Sequence, residues 1–384
     1  MTPESLDQIV MSRHVIIAVG AGGVGKTTTA AALGVAAALR GRRVLCLTID
    51  PARRLAQALG LERMSSEEQV VAAERFAREG VRVTGSLSAM MLDTKRTFDE
   101  LIAKYATSPE RAQRLLNNKL YKYISMSLAG TQEYMAMEKL VAVQQDPRFD
   151  LVVLDTPPTA NALDFLDAPE RLVEALDSTT MRWMVQAFQS TGKVGFNLLA
   201  RSAGVVLRAI ARITGAGFLE AMSEFLAELN DMFGGFKLRA LAVEKALRSP
   251  DVTFVLVTSP TPPSIEEVLF FSDRLVQASM PRGAFVVNRF RAPPPFAGAP
   301  PTEAQAAAAI HASGVQLEGD APGRLVQAHA DASRLARLDA AHVRRLSERA
   351  GSAVPIVRIP ELAGDVHDLS TLGKIADLLM TGGV

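Results

Sequence analysis

Residues Gly20-Ala21-Gly22-Gly23-Val24-Gly25-Lys26-Thr27-Thr28 have the types and spacing of a loop that grips phosphate, G-x-x-x-x-G-K-[ST]. The glycines carry no Cβ, so the backbone N–H groups of Gly22, Gly23, Val24, Gly25, Lys26, Thr27 and Thr28 can close around an anion that side chains would otherwise keep away. The motif gives Lys26 to the β- and γ-phosphates of a nucleotide and the Thr27 hydroxyl to Mg²⁺. Two carboxylates follow at strand ends. Asp155 closes Leu151-Val152-Val153-Leu154 and suits a partner of Mg²⁺, a role compatible with capping the Asp-Thr-Pro-Pro turn that it opens. Asp50 closes the run to Thr48-Ile49 and stands before Pro51. From there it can orient and deprotonate a water facing the γ-phosphate, or simply cap a helix. Position alone leaves that choice even.

These residues need a strand in front of each and a helix behind the first. Val15–Val19 is a short apolar run of the buried parallel-strand kind, Ala30–Arg40 an alanine-rich helix stopped by Gly41, and Arg43–Ile49 a second strand. Further strands are expected at Ser88–Leu92, Leu151–Asp155, Val252–Thr258, Gly283–Asn288 and Val354–Ile359, with helices at Ile265–Ala278 and Leu369–Leu379. Strands alternating with helices predict an α/β fold, a doubly wound, mostly parallel sheet flanked by helices. Asp177–Leu247 has no strand candidate and reads as a helical insertion within one domain spanning 1–384. Arg291–Pro301, rich in proline and alanine, reads as a loop, and one or two surface helices are expected from there to Ala350.

Composition narrows the classes. With 42 Lys+Arg against 41 Asp+Glu the net charge is +1, so the basic balance of a dedicated nucleic-acid binder is missing. A single cysteine, Cys46, excludes a disulfide framework and a cysteine-built zinc site within the chain, and it reads as a small strand hydrophobe. The five histidines show no ligand spacing. No apolar stretch has the length of a membrane span and no leader is visible, so the expectation is a cytoplasmic protein, peripheral to a membrane at most.

Gly-Gly-Val-Gly-Lys-Thr-Thr-Thr, Thr-Ile-Asp-Pro-Ala, Asp-Thr-Pro-Pro-Thr and Val-Val-Asn-Arg, in that order, resemble the arsenite-pump ATPase family. That family includes the ATPase that targets tail-anchored membrane proteins and is allied to the partition and septum-placement ATPases. The resemblance implies a dimeric, Mg²⁺-dependent ATPase that cycles between ATP and ADP. It implies that Asp50 lies in the first switch, near the metal, and positions the hydrolytic water. Asp155–Thr159 becomes the second switch, with Glu133 at a helix start beside it. Asn288 becomes the reader of adenine, and Pro360-Glu361-Leu362 the loop flanking the base.

Three departures from the family pattern stand out. Ala21 replaces a lysine that in the family reaches the partner subunit's nucleotide, which removes one stabiliser of leaving-group charge. The Cys-x-x-Cys zinc pair and the metalloid-binding cysteines are missing, so metalloid-stimulated transport is not expected. In the insertion, Phe218, Leu219, Met222, Phe225, Leu226, Leu229, Phe233 and Phe236 form an apolar helical stripe, and Met181, Met184, Val185 and Phe188, beside Trp183, form a shorter one. They are expected either to pack on one another or to form a groove for a hydrophobic protein client. Arg201, Arg208 and Arg212 allow a membrane-surface role as well. Two other readings remain beside the switching ATPase: a nucleotide-gated scaffold that pairs with a related subunit, as hetero- rather than homodimer, and a spatial-positioning ATPase on membrane or DNA.

Overall fold

The computed structural model describes residues 4–49, 53–118, 121–122, 131–156, 162–179, 225, 232–294, 300–317, 319–366 and 368–383. The chain divides into two compact units, the first Met1–Met90, Arg148–Ala160 and Pro250–Val384, the second Met91–Pro147 and Asn161–Ser249.

The first unit is built on eight strands, β1 (Val15–Gly20), β2 (Arg43–Thr48), β3 (Gln69–Val70), β4 (Ser86–Met91), β5 (Leu151–Asp155), β6 (Val252–Thr258), β7 (Arg282–Phe290) and β8 (Ile356–Pro360), in the order β3-β4-β2-β5-β1-β6-β7-β8. Every pairing from β2 through β8 is parallel, and β3 on β4 is antiparallel. The α/β class expected from the sequence is the one observed. Every residue of β1, β5 and β6 is buried, because a parallel sheet wound on both faces leaves its middle strands no wet side. The short helix α1 (Leu6–Ser12), closed by a capping box from Ser5 and Gln8, and the two-residue β3 have no clear apolar run and were not anticipated.

Helix α2 (Lys26–Leu39) follows the phosphate loop and buries nearly all of its alanines. Small residues let it approach the sheet closely: a Cβ built on Gly34 would lie 2.5 Å from Cys46 Sγ. Cys46 is fully enclosed in β2, and desolvation first, then the charge of Asp155, pushes its thiol up to about 12. It is the strand hydrophobe its position suggested.

At the opposite end of the sheet from the loop, the Arg42 guanidinium donates to the carbonyls of Val10, Arg13 and Asp150 and so joins the ends of α1, β2 and β5. Next to it, Arg43 holds the Asp150 carboxylate in a fork at 2.6 and 3.0 Å, and these hydrogen bonds draw that carboxyl down to about 2.

The second unit is helical where described: Thr94–Tyr105, Pro109–Asn117, Thr131–Gln144, Ala162–Asp177 and Phe233–Leu247. Its core contains Leu101, Ile102, Leu115, Tyr121, Met135, Phe225 and Phe236, with Phe98 stacked 5.5 Å from Tyr121 and Phe233 partly buried against it. Phe225 and Phe236 therefore pack inward rather than line a groove. The rest of both stripes, together with Trp183, Arg201, Arg208 and Arg212, lies outside the described residues. Among the described residues no helix is long and apolar enough to cross a membrane.

Arg42→Ala strips three carbonyls of a charged donor and is expected to lower unfolding free energy by about 1–3 kcal/mol. Urea denaturation reads that loss. Nucleotide affinity, set at the other end of the sheet, should stay at the wild-type value.

Candidate functional site

The loop between β1 and α2 is shaped by two close approaches. A Cβ on Gly20 would sit 2.0 Å from the Val257 carbonyl oxygen of β6, so the chain can turn there only without a side chain. Gly25 takes φ 95° and stands at the N-cap of α2, where no side chain caps the helix. Gly25 has no side chain to compete at the first turn of α2, and the helix dipole places partial positive charge there, which favours an anion. Lys26 is buried and its Nζ rests 2.8 Å from the Ala21 carbonyl, folded over the loop. Gly22 and Gly23 are exposed, Thr27 and Thr28 half-buried, and Val24 packs inward.

Asp155 ends β5 beside this loop, in register with Ala18 of β1 and Thr48 of β2. It is 2% exposed, and the Thr48 hydroxyl lies 3.3 Å from its Oδ2. The next residue, Thr156, donates its hydroxyl to the Ala18 carbonyl at 2.8 Å, fixing the end of β5 against β1. Thr48 and Thr156 each stand in one of the quoted motifs, Thr-Ile-Asp-Pro-Ala and Asp-Thr-Pro-Pro-Thr, but nothing in the sequence assigns either a contact of its own. Asp50 and Pro157–Thr159 lie outside the described residues, so the first switch and most of the second have no geometry here. Glu133 belongs to the second unit, buried in the first turn of the helix Thr131–Gln144.

Asn288 lies within β7, half-buried, and its Nδ2 donates to the Val24 carbonyl at 2.9 Å. The amide is thereby tied to the phosphate loop, and a Cβ on Gly25 would come within 2.2 Å of Nδ2. Pro360-Glu361-Leu362 is attached to the same strand, since the Glu361 N–H donates to the Phe290 carbonyl at 3.0 Å. Loop, amide and the 360–362 segment are thus linked through β7 at one edge of the first unit's sheet. Two residues the sequence did not single out also reach this edge. Arg291 forks onto Asp339 of the helix Ala321–Ala350 at 2.7 and 2.9 Å, and that hydrogen bond, with the charges of Asp339 and Glu361, raises its pKa. Nothing in the run around Asp339 sets it apart from the other polar residues of that helix.

The described oxygens suit a hard cation. Thr27 offers a hydroxyl and Asp155 a carboxylate, the sparse set Mg²⁺ takes when phosphates complete its shell. Among the described residues no cluster of three or more His, Cys, Asp or Glu could hold a metal by itself.

Comparison with known proteins gives the family. The model of the anion-transporting ATPases matches residues 13–295, most of the chain and all of the site except the 360–362 segment. The protein named ATPase GET3 of Malassezia globosa is 27% identical over 306 residues, covering 76% of this chain and 78% of its own length. ATPase GET3 of Mycosarcoma maydis is 27% identical over 225 residues (56% and 57%), and an ATPase ASNA1 homolog of Babesia bovis is 33% identical over 181 (45% of each). In the last two the match spans about half of the relative's own length.

Gly25→Ala puts a methyl against Asn288 at a left-handed φ, a strain of about 1–3 kcal/mol that should weaken ATP binding about tenfold or more. Titration with a fluorescent ATP analogue measures it. Wild-type affinity would mean that this closeness of loop and amide is irrelevant to binding.

Proposed function

We propose, from the premise that this chain belongs to the anion-transporting ATPase family, that its first unit hydrolyses ATP with Mg²⁺ and that the cycle switches an interaction surface carried by a dimer. The chain is an ATPase by family. The observation that carries the finer reading is the preformed cradle, with glycines where Cβ atoms would collide, a buried lysine folded over it, and an amide tied to its rim.

In this reading the backbone N–H groups of Gly22–Thr28 and Lys26 hold the β- and γ-phosphates. Lys26 leaves the Ala21 carbonyl for a phosphate oxygen, trading a neutral acceptor for a charged one. Thr27 and Asp155, with Asp50 close by, hold Mg²⁺, which when bound neutralises phosphate charge. Asp50 orients a water in line with the γ-phosphate and takes its proton as the water oxygen bonds to phosphorus. The β–γ bridging bond breaks and its electron pair stays on ADP. Asn288, with one N–H given to Val24, keeps its carbonyl oxygen and second N–H for the adenine 6-amino group and N7.

The partner surface is proposed to lie in the second unit and to take a hydrophobic protein segment. Phe225 and Phe236 are committed to that unit's core, so the surface must come from other residues. Leu238 and Leu241, 72% and 46% exposed on Phe233–Leu247, are the apolar side chains of that helix left open. Ala21 supports a second reading, a nucleotide-gated scaffold that turns over slowly until a related subunit supplies the missing cation. Its methyl is enclosed in the first unit's core, so nothing at this position reaches outward.

Lys26→Ala should abolish ATP binding in calorimetry, whereas Asp50→Asn should bind like the wild type and release no phosphate. Loss of both properties in Asp50→Asn would reduce that residue to a helix cap. Without a lysine at position 21, two triphosphates facing each other meet less opposing charge, about 4 kcal/mol per unit-charge pair at 4 Å and intermediate dielectric. Sedimentation should therefore show a homodimer fraction that changes little between ATP and ADP. A dimer forming only with ATP would overturn this.

A further inference from the structure

The helix Ala321–Ala350 lies beyond the segment matched by the family model and is exposed along most of its length. Of its thirty residues, Ala321, Ala336, Asp339, Leu346 and Ala350 are buried, and one of these five is a carboxylate. The Asp339 side chain is 1% exposed, and a carboxylate buried that deeply needs strong hydrogen-bond partners. Arg291 supplies three donors: its backbone N–H at 2.9 Å, Nε at 2.9 Å and Nη2 at 2.7 Å. A buried ion pair is a weak way to add stability, because well-packed apolar residues of equal volume do as well. A fork combined with a backbone bond does, however, fix geometry, holding one peptide and one guanidinium plane together.

The geometry being held is irregular. Between Val287 and Phe290 the β7–β8 register slips: Val287 pairs with Arg358 and Phe290 with Pro360, so β7 spends one residue more than β8. Inside that bulge Arg289 takes φ 57°, a left-handed conformation that costs a side-chain-bearing residue energy. Bulges can re-aim side chains, and Asn288, whose amide donates to the Val24 carbonyl, lies within this one. Downstream, the Phe290 carbonyl accepts from Glu361 N–H and the Phe290 ring lies 5.5 Å from the Arg358 guanidinium. Arg291 thus stands where β7, the 360–362 segment and the long helix converge.

We propose that Asp339 is a positioning residue of the base subsite: through Arg291 it holds the strained Asn288–Phe290 bulge, and with it the choice of adenine over guanine. The inference rests on the reading of Asn288 as the base-contacting residue. It makes nucleobase affinity depend on a helix outside the family-matched segment, while the phosphate loop, held by β1, α2 and β6 as well as by the Asn288–Val24 bond, depends on it less.

The test compares competition binding of ATP, GTP and inorganic tripolyphosphate, the last filling the phosphate loop alone, in wild type, Asp339→Asn and Asn288→Ala. Asp339→Asn is expected to weaken ATP about tenfold, the loss of a charge-assisted pair, to narrow the ATP/GTP ratio toward one, and to weaken tripolyphosphate clearly less than ATP. If Asp339→Asn does not fold, the double variant Arg291→Gln/Asp339→Asn, which keeps an uncharged amide pair, carries the same expectation. An unchanged ATP/GTP ratio in these variants, while Asn288→Ala narrows it, overturns the role of Asp339 and leaves the base reading standing. Parallel loss of tripolyphosphate overturns it too, because the damage is then general. An unchanged ratio in Asn288→Ala overturns the base reading, and this inference falls with it.

Discussion

The Asn288 amide donates to the Val24 carbonyl at 2.9 Å, across 264 residues of sequence, and the shape of the 20–28 loop depends on that bond. A phosphate loop is backbone with few side chains to hold it, so its shape has to be imposed from outside. Here β6 imposes it at Gly20, through the Val257 carbonyl, and β7 imposes it at Val24 and Gly25, through Asn288. Both neighbours come from the carboxyl-terminal part of the chain. The motif is local in sequence, but its geometry is not.

The parallel sheet separates stability from chemistry along its strands. At one end Arg42 and the Arg43–Asp150 fork gather carbonyls and charges that do no chemistry. At the other end the strands stop at Gly20, Thr48, Asp155 and Thr258, and their loops carry the polar groups. Ligands in open α/β sheets bind at that carboxyl edge because parallel strands all deliver their ends there. Burial of every side chain in β1, β5 and β6 keeps those ends rigid, so a carboxylate such as Asp155 is held by backbone register and not by its own contacts alone.

Much of this was legible in the sequence for identifiable reasons. Leu151–Leu154 and Phe254–Val257 are uninterrupted apolar runs buried on both faces, and the strands Leu151–Asp155 and Val252–Thr258 lie on them. The phosphate loop was legible because its chemistry demands glycine at fixed spacing. Helix α1 and strand β3 were not, since Leu6–Ser12 is short and Gln69–Val70 is half polar and pairs at the sheet edge. The aromatic stripe left packing and groove both open, because helical periodicity marks an apolar face without saying what covers it, and at Phe225 and Phe236 packing is the outcome. Tyr121 and Phe98, which help to cover it, come from more than a hundred residues away. Asp339 was illegible for a different reason: its partner Arg291 is 48 residues distant, and no local pattern encodes a bridge of that length.

Gly20, Gly25 and Lys26 build the cradle, and Ala21 adds to it a buried methyl and no charge. The central claim is that nucleotide binds on the first unit, between the 20–28 loop and the segments 288–291 and 360–362. Photolabelling with 8-azido-ATP followed by peptide mapping tests it most directly. The expected result is label on peptides containing Asn288–Arg291 or Pro360–Leu362, suppressed by excess ATP. Competable label confined to peptides from Met91–Pro147 or Asn161–Ser249 would place the base in the second unit and contradict the account.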